Sequence, residues 1–365
     1  MQQIFDSAGS KERKSLGVRP ITDHLMGSFW VSRGMPRKSL EQRDSSDKSA
    51  ESLLNVTFWG VRGTLPSPGV EFAEFGGNTS CVEVSVPAQP DEPGTSLVLD
   101  AGTGIVAYGE RALERGQKTF HVLLSHFHYD HVIGLTRFAP IFRPDVKIHF
   151  YGQAKGGMEL HQIIEKLFSF PFFPIEYRQL PSRNNLNFHT VVPGSPFEIG
   201  SLVIIAHELC HPQQAVAYRV WDQDLSTSMV YATDHEHGTD SDLSLAAFSR
   251  NTELFLFDTT YTDDVYLAGR QGWGHSTAKR GAEIAAMAEV KAFGLFHHDP
   301  DATDDLLKNK LLPEGLSFFP ASFLCKEGVT LALNARFQDE QLPMVVGGGS
   351  PIRRTLLSKR RKISG

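Results

Sequence analysis

The chain has 365 residues, 41% of them hydrophobic and 10% aromatic, enough for a sizeable core in one large domain or two ordinary ones. No stretch approaches the roughly eighteen uninterrupted apolar residues of a membrane span, and no long apolar segment follows the charged N-terminus (Asp6, Lys11, Glu12, Arg13, Lys14) to read as a secretory signal. The net charge of −6 is uneven: residues 1–54 hold 9 Lys/Arg against 7 Asp/Glu, and the last fifteen are basic without an acid, so the excess acid lies between them, a poor surface for gripping a long polyphosphate.

In chain order, residues 1–54 are polar and mixed in charge and read as a flexible extension. Order begins with a strand at Asn55–Val61, then a Gly/Pro-rich loop, and strands at Cys81–Val86 and Ser96–Asp100. Ala101-Gly102-Thr103-Gly104 leads into a helix to about Arg115. A buried strand, Val122–Leu124, runs into His126-Phe127-His128-Tyr129-Asp130-His131, and Val132–Leu135 reads as the start of a helix. Further strands are expected at Lys147–Tyr151, Ser201–Ala206, Ala215–Trp221, Ser228–Ala232, Glu253–Phe257, Ala292–Phe296 and Val329–Leu333. Helices are expected at Met158–Phe168, Asp242–Phe248, Thr277–Glu289 (Ile284 and Met287 inward) and Thr303–Leu311. Residues 341–365 form a basic tail, read as disordered.

Three cysteines, Cys81, Cys210 and Cys325, odd in number and outside any CxxC pattern, argue against a disulfide framework and for a reducing, cytoplasmic setting. Each reads as a small buried apolar residue. The histidine-rich stretch has another character, because imidazole and carboxylate are the donors that zinc, iron and manganese accept. His126 and His128 alternate, so both can leave a strand end toward one face. His211, Asp234, Asp258 and His297 repeat the placement, each a coordinating residue just beyond an apolar strand. His207-Glu208-Leu209-Cys210-His211 also fits H-E-x-x-H, but that pattern needs a helix. The preceding run is β-branched and Pro212 disfavours helix at His211. On a strand the two histidines stand roughly 13 Å apart, too far to share one zinc.

His126-Phe-His128-Tyr-Asp130-His131 resembles the H-x-H-x-D-H signature of the metallo-β-lactamase-fold hydrolases. The resemblance extends over most of 55–305 through Phe58–Gly63, Gly76–Thr79, Asp100–Gly104, His211-Pro212, Tyr231–Asp234, Gly274–Thr277 and His297–Pro300. It implies an α+β fold, an αββα sandwich of two packed mixed sheets with helices outside, over 55–340. It also implies a site for two divalent metal ions, zinc foremost, with manganese or iron as alternatives. By position His126, His128 and His211 would hold one metal, Asp130, His131 and His297 the other, with Asp234 as the bridge. His297 is chosen over His298 because it directly continues the apolar strand. Gly274-His275-Ser276-Thr277 resembles the histidine motif of the tRNA 3′-end endonucleases, in which the histidine works with a carboxylate, here Asp258. The catalytic residues implied are His275, Asp258 and Asp130, with Asp100 orienting a metal-bound histidine. His235, Glu236 and His237 read as a solvated polar turn.

The activity implied is phosphodiester hydrolysis by a metal-bridging hydroxide, with His275 assisting the leaving oxygen. The acidic middle of the chain and the lack of a basic hairpin in 152–200 favour a small phosphodiester, most of all a cyclic nucleotide, over RNA. Phe170-Pro171-Phe172-Phe173-Pro174 is either a hydrophobic lid or homodimer contact, or a wall on which a base could stack. A tRNA 3′-processing endonuclease and a non-catalytic nucleotide-binding regulator are the alternatives.

Overall fold

Continuous apolar runs make strands covered on both faces, and alternating ones make strands at a boundary. In chain order the strands are β1 (Leu54–Gly60), β2 (Cys81–Val86), β3 (Thr95–Leu99), β4 (Thr119–Leu123), β5 (Lys147–Gly152), β6 (Leu186–Thr190), β7 (Phe197–Ile199) and β8 (Leu202–Leu209). They continue with β9 (Ala215–Asp222), β10 (Ser228–Ala232), β11 (Leu254–Asp258), β12 (Ala292–Phe296), β13 (Ser322–Leu324), β14 (Val329–Leu333) and β15 (Met344–Gly348). The structure, a computed structural model, describes residues 54–88, 94–222, 226–333 and 344–348. The expected extension up to residue 53 and the tail beyond residue 348 lie outside the described residues.

Two sheets form, in spatial order β15-β14-β1-β2-β3-β4-β5-β6 and β13-β12-β11-β10-β9-β8-β7. Strands β3 to β6 are parallel, as are β10 to β13. Every residue of β10, β11 and β12 is buried, as the uninterrupted apolar sequences require. The inner faces meet through Val56, Phe58 and Leu123 on one side and Ile204, Tyr218 and Leu256 on the other.

Helices cover both outer faces. Helix α1 (Ile105–Glu114) buries Ile105, Tyr108, Gly109 and Ala112, an i, i+3, i+4, i+7 stripe, against the first sheet. A single turn α2 (Tyr129–Val132) follows β4, and α3 (Leu160–Leu167) follows β5. On the second sheet lie α4 (Thr239–Phe248), the short α5 (Asp263–Leu267) and α6 (Ala278–Met287). A last run, α7 (Asp304–Leu306), a wider turn at Leu307–Leu311 and α8 (Leu312–Phe318), packs with α6. This is the expected αββα sandwich. No helix among the described residues is long and apolar enough to cross a membrane.

Several local expectations are corrected. The helix foreseen from Val132 is only α2 followed by a 3-10 turn, Ile133–Arg137. Gly134 there packs so tightly that a Cβ would collide with the carbonyl of Gly102, and its N–H donates to the Ala101 carbonyl at 3.0 Å. Met287 does not point inward: it is 44% exposed, at the last residue of α6. Cys81 and Cys325 are buried as expected, whereas Cys210 is exposed in the loop after β8. Strand β15 falls within the stretch expected to be tail and pairs antiparallel with β14. Strands β6, β7 and β13 were not foreseen, since three-residue or polar edge segments carry too little periodicity.

Helix α6 approaches its sheet so closely at Gly281 that a Cβ would stand 2.6 Å from the Phe257 ring and 2.7 Å from Phe293. Ala normally stabilises a helix interior by about 1 kcal/mol relative to Gly. Here overpacking reverses the sign, at about 1–3 kcal/mol. Gly281→Ala should therefore lower the urea midpoint; an unchanged or higher midpoint would show that the aromatic rings yield freely.

Candidate metal centre

The coordinating residues assemble at one end of both sheets, just beyond β3, β4, β8, β10, β11 and β12. The backbone there is forced to turn. Asp100, Asp234 and His297 follow β3, β10 and β12 with φ of 61°, 56° and 60°, the left-handed region. For residues other than glycine this conformation costs on the order of 1–3 kcal/mol each and persists only where the surroundings enforce it. It swings each side chain out of the strand and toward the gap between the sheets.

Three groups of coordinating side chains converge among the described residues: two four-residue sets, and a smaller one of Asp258, His275 and His297. His126, His128, His211 and Asp234 each offer one atom within 4.8 Å of the others, as do Asp130, His131, Asp234 and His297. Asp234 belongs to both through different oxygens. Its Oδ1 lies 3.7 Å from His126 Nε2 and 3.9 Å from His211 Nε2. Its Oδ2 lies 3.1 Å from His131 Nε2 and 3.2 Å from His297 Nε2. Asp130 Oδ2 completes the second set, 3.1 Å from His131 Nε2 and 3.2 Å from His297 Nε2.

The outward nitrogen of each histidine fixes what the inward one can do. His131 Nδ1 is 2.7 Å from Asp100 Oδ2, His211 Nδ1 is 2.8 Å from the Gly274 carbonyl, and His128 Nε2 is 3.3 Å from Gln213 Oε1. His126 Nδ1 faces Ser125 Oγ at 3.1 Å, and His297 Nδ1 faces Thr260 Oγ1 at 3.1 Å. Ser125 and Thr260 spend their own hydroxyl protons on Asp100 and Asp258, so each accepts from the ring. A neutral imidazole carries one N–H, and each of the five rings has an outward partner able to take it when a cation occupies the inner side. Five inward nitrogens and two carboxylates face one another, with His128 Nδ1 and His211 Nε2 only 3.1 Å apart. His126 Nε2 and His131 Nε2 are buried without any hydrogen-bond partner. That concentration of lone pairs fits a cation and little else.

The electrostatics agree. Burial works to raise the carboxyls of Asp130 and Asp234, yet His131 and His297 hold both well below the usual carboxylate range. Burial works to lower His131, yet Asp130, Asp234 and Asp100 raise it. Burial lowers His126, with His131 adding to the effect, and lowers His211. The site is a field that favours positive charge.

His275 stands at the rim, its side chain 13% exposed, with Nδ1 2.9 Å from Asp258 Oδ2. Its ring stacks 5.0 Å from that of His297. His298, by contrast, turns away and bonds the Cys325 carbonyl through Nε2 at 3.0 Å. His207, the other histidine of H-E-x-x-H, lies on strand β8 and stacks on Phe248 instead.

His235 and Glu236 are not the solvated turn expected. His235 is buried, bonded to Asp242 at 3.1 Å and accepting the Cys210 N–H at 3.2 Å. Glu236 accepts from Tyr266 Oη at 2.9 Å, from Gly274 N at 2.8 Å and from Gly272 N. It thus clamps the loop that carries His275 and supplies the Gly274 carbonyl to His211. Polarity alone suggested solvent; only the fold reveals these partners.

The family model for the beta-lactamase superfamily domain matches residues 95–298. The chain is 28% identical over 217 residues to an uncharacterised protein of Mycobacterium leprae, covering 58% of this chain and 69% of that protein. It is 22% identical over 314 residues to a ribonuclease Z of Picrophilus torridus, covering 76% and 94%. The metallo-β-lactamase fold protein YhfI of Bacillus subtilis superposes with a TM-score of 0.57 at 19% identity, over 77% of this chain and 100% of that one.

Since Asp234 faces both sets, Asp234→Ala should reduce bound metal at both positions, whereas His211→Ala should reduce it at one. Elemental analysis of protein purified without chelators measures this; equal losses in the two variants would contradict the sharing. Glu236→Ala should loosen the Gly274 loop and lower turnover about tenfold through misplacement of His275. Unaltered kcat would show that the loop holds itself.

Proposed function

This chain belongs to the beta-lactamase superfamily and carries its metal-dependent hydrolase fold, and from that premise we propose that it is a two-metal-ion phosphodiesterase acting on a cyclic nucleotide or a similar small phosphodiester. The observation that carries the reading is the His275–Asp258 pair beside two ligand sets that share Asp234. His126, His128 and His211 are the proposed ligands of one ion, Asp130, His131 and His297 those of the other, with Asp234 between. Imidazole and carboxylate donors accept zinc, manganese or iron, and zinc is the ion proposed here. Bound there, a pair of divalent ions supplies Lewis-acid polarisation of a phosphoryl oxygen and a water acidic enough to attack at neutral pH.

The chain's own residues do the rest. Asp258 is buried and charged: burial works to raise it, but His275 brings it down. It also accepts from the amides of His235 and Thr260, which fix its orientation. With Nδ1 held by Asp258, His275 presents Nε2 to the rim. Burial works against its charge, but Asp258 raises it to about 9 before any cation is bound, and the protonated ring is the form the proposed step uses. Hydrolysis forms a bond from water oxygen to phosphorus and breaks one ester P–O bond; the attacking water gives up one proton to solvent, the departing oxygen takes one from His275, and His275 regains a proton from solvent.

A tRNA 3′-endonuclease is the second reading, favoured by the likeness to ribonuclease Z over 94% of that protein's length. Against it stand the acidic middle of the chain and a tight two-glycine turn at Gly156-Gly157, where a projecting basic arm would be expected.

His275→Ala is expected to keep both metals and lose about 10²–10⁴-fold in kcat; loss of metal would make His275 a ligand instead. Activity should fall at alkaline pH as His275 loses its proton. The apparent pKa should be no higher than about 9, because neighbouring cations only depress an imidazolium. Residual activity of His275→Ala should lack that limb. Assay of cyclic nucleotides beside precursor tRNA decides between the readings, and cleavage of tRNA alone would overturn the first.

A further inference from the structure

Next to the candidate centre, and sharing His126 and His128 with it, lies a cleft of about 160 Å³. Its inner wall is apolar, made by Phe127, Met158 and Ile163, and its rim is Lys155, Gln213 and Gln214. Two devices build it. Lys155 and Met158 exchange both backbone hydrogen bonds, at 3.0 and 2.9 Å, across Gly156 and Gly157, which have φ of 57° and 75°. That two-glycine turn sets the lysine beside the methionine over the end of α3. On the far side Gln213 and Gln214, at φ of 64° and 66°, are consecutive left-handed residues that are not glycine. They lie in the tight connection between antiparallel β8 and β9, where the Gln214 N–H donates to the His211 carbonyl at 2.9 Å.

The polarity of the rim follows from chemistry. Lysine can only donate, so the Gln214 atom 3.1 Å from Lys155 Nζ is the amide oxygen, and its NH₂ is left free. His128 donates its Nε2 proton to Gln213 Oε1, which leaves that NH₂ free as well. The rim is therefore a cation and two amide groups, all offering hydrogen, above an apolar wall.

We propose that this cleft is a nucleobase subsite, which makes the substrate a nucleoside phosphodiester in particular. This rests on the phosphodiesterase reading. A base has flat apolar faces for Phe127, Met158 and Ile163, and an edge of carbonyl oxygens or bare ring nitrogens for the donors. A plain sugar phosphate has no such body to fill the wall. The proposal moves the base away from Phe170 and Phe172, which are 84% and 83% exposed.

The test uses metal-loaded full-length protein and calorimetry. Nucleoside 5′-monophosphates should bind at least about tenfold more tightly than ribose 5-phosphate, a difference of about 1.4 kcal/mol. Lys155→Met, which removes the charge, and Ile163→Trp, which fills the cleft, should each erase most of that preference while retaining metal content. Equal affinity of nucleotide and sugar phosphate, or a preference untouched by both variants, overturns the subsite. Hydrolysis of methyl 4-nitrophenyl phosphate, which has no base, reports on the chemistry separately. Turnover of it without base preference sinks the subsite alone. Base preference without turnover of any diester supports the subsite and sinks the phosphodiesterase reading.

Discussion

The buried carboxylate of Asp100 is the interaction on which the rest depends. It is wholly buried, and an unpaired charge in that position would be costly enough to prevent folding. Its two oxygens receive the Ser125 amide at 2.7 Å, the Ser125 hydroxyl at 2.7 Å, His131 Nδ1 at 2.7 Å and the Tyr231 hydroxyl at 2.8 Å. Ser125 and His131 lie in the segment that follows β4 of the first sheet, His131 on α2, and Tyr231 lies on β10 of the second. One charge thus ties the two sheets together at the end where the site forms. It also sets the tautomer of His131 and, through Ser125, that of His126. Fold and chemistry meet in one side chain.

A similar economy governs the opposite wall. Asp258 ends β11, Thr260 follows it, and both reach the histidines that end or precede other elements. Glu236 then anchors the loop between α5 and α6 from below. The outward hydrogen bonds of the rings come from residues scattered between Asp100 and Gly274. Their common effect is to aim the inward nitrogens at a shared space.

Much of this was legible in the sequence because the ligand types are chemically distinctive and follow apolar strands. His126 to His131, His211, Asp234, Asp258, His275 and His297 all come to the same end of the sandwich. Of His297 and His298, the left-handed turn after β12 brings the first ring to Asp130 and Asp234 and leaves the second bonded to Cys325. Ser125, Thr260 and Glu236 were not legible. Short polar residues acquire meaning only from what they touch, and those partners lie far away in the chain. The left-handed turns were equally hidden, although aspartate tolerates that conformation better than most residues. Met287 misled because helical periodicity cannot say where the sheet beneath a helix ends.

The partnerless nitrogens of His126 and His131 have a consequence for how this protein should be described at all. A cation that binds only the folded chain adds RT ln(1 + [M]/Kd) to its stability, about 2.7 kcal/mol at a hundredfold excess over Kd. The folded fraction is then a property of sequence and ion supply jointly. A single melting temperature would have no meaning for this chain unless the free metal concentration were stated beside it.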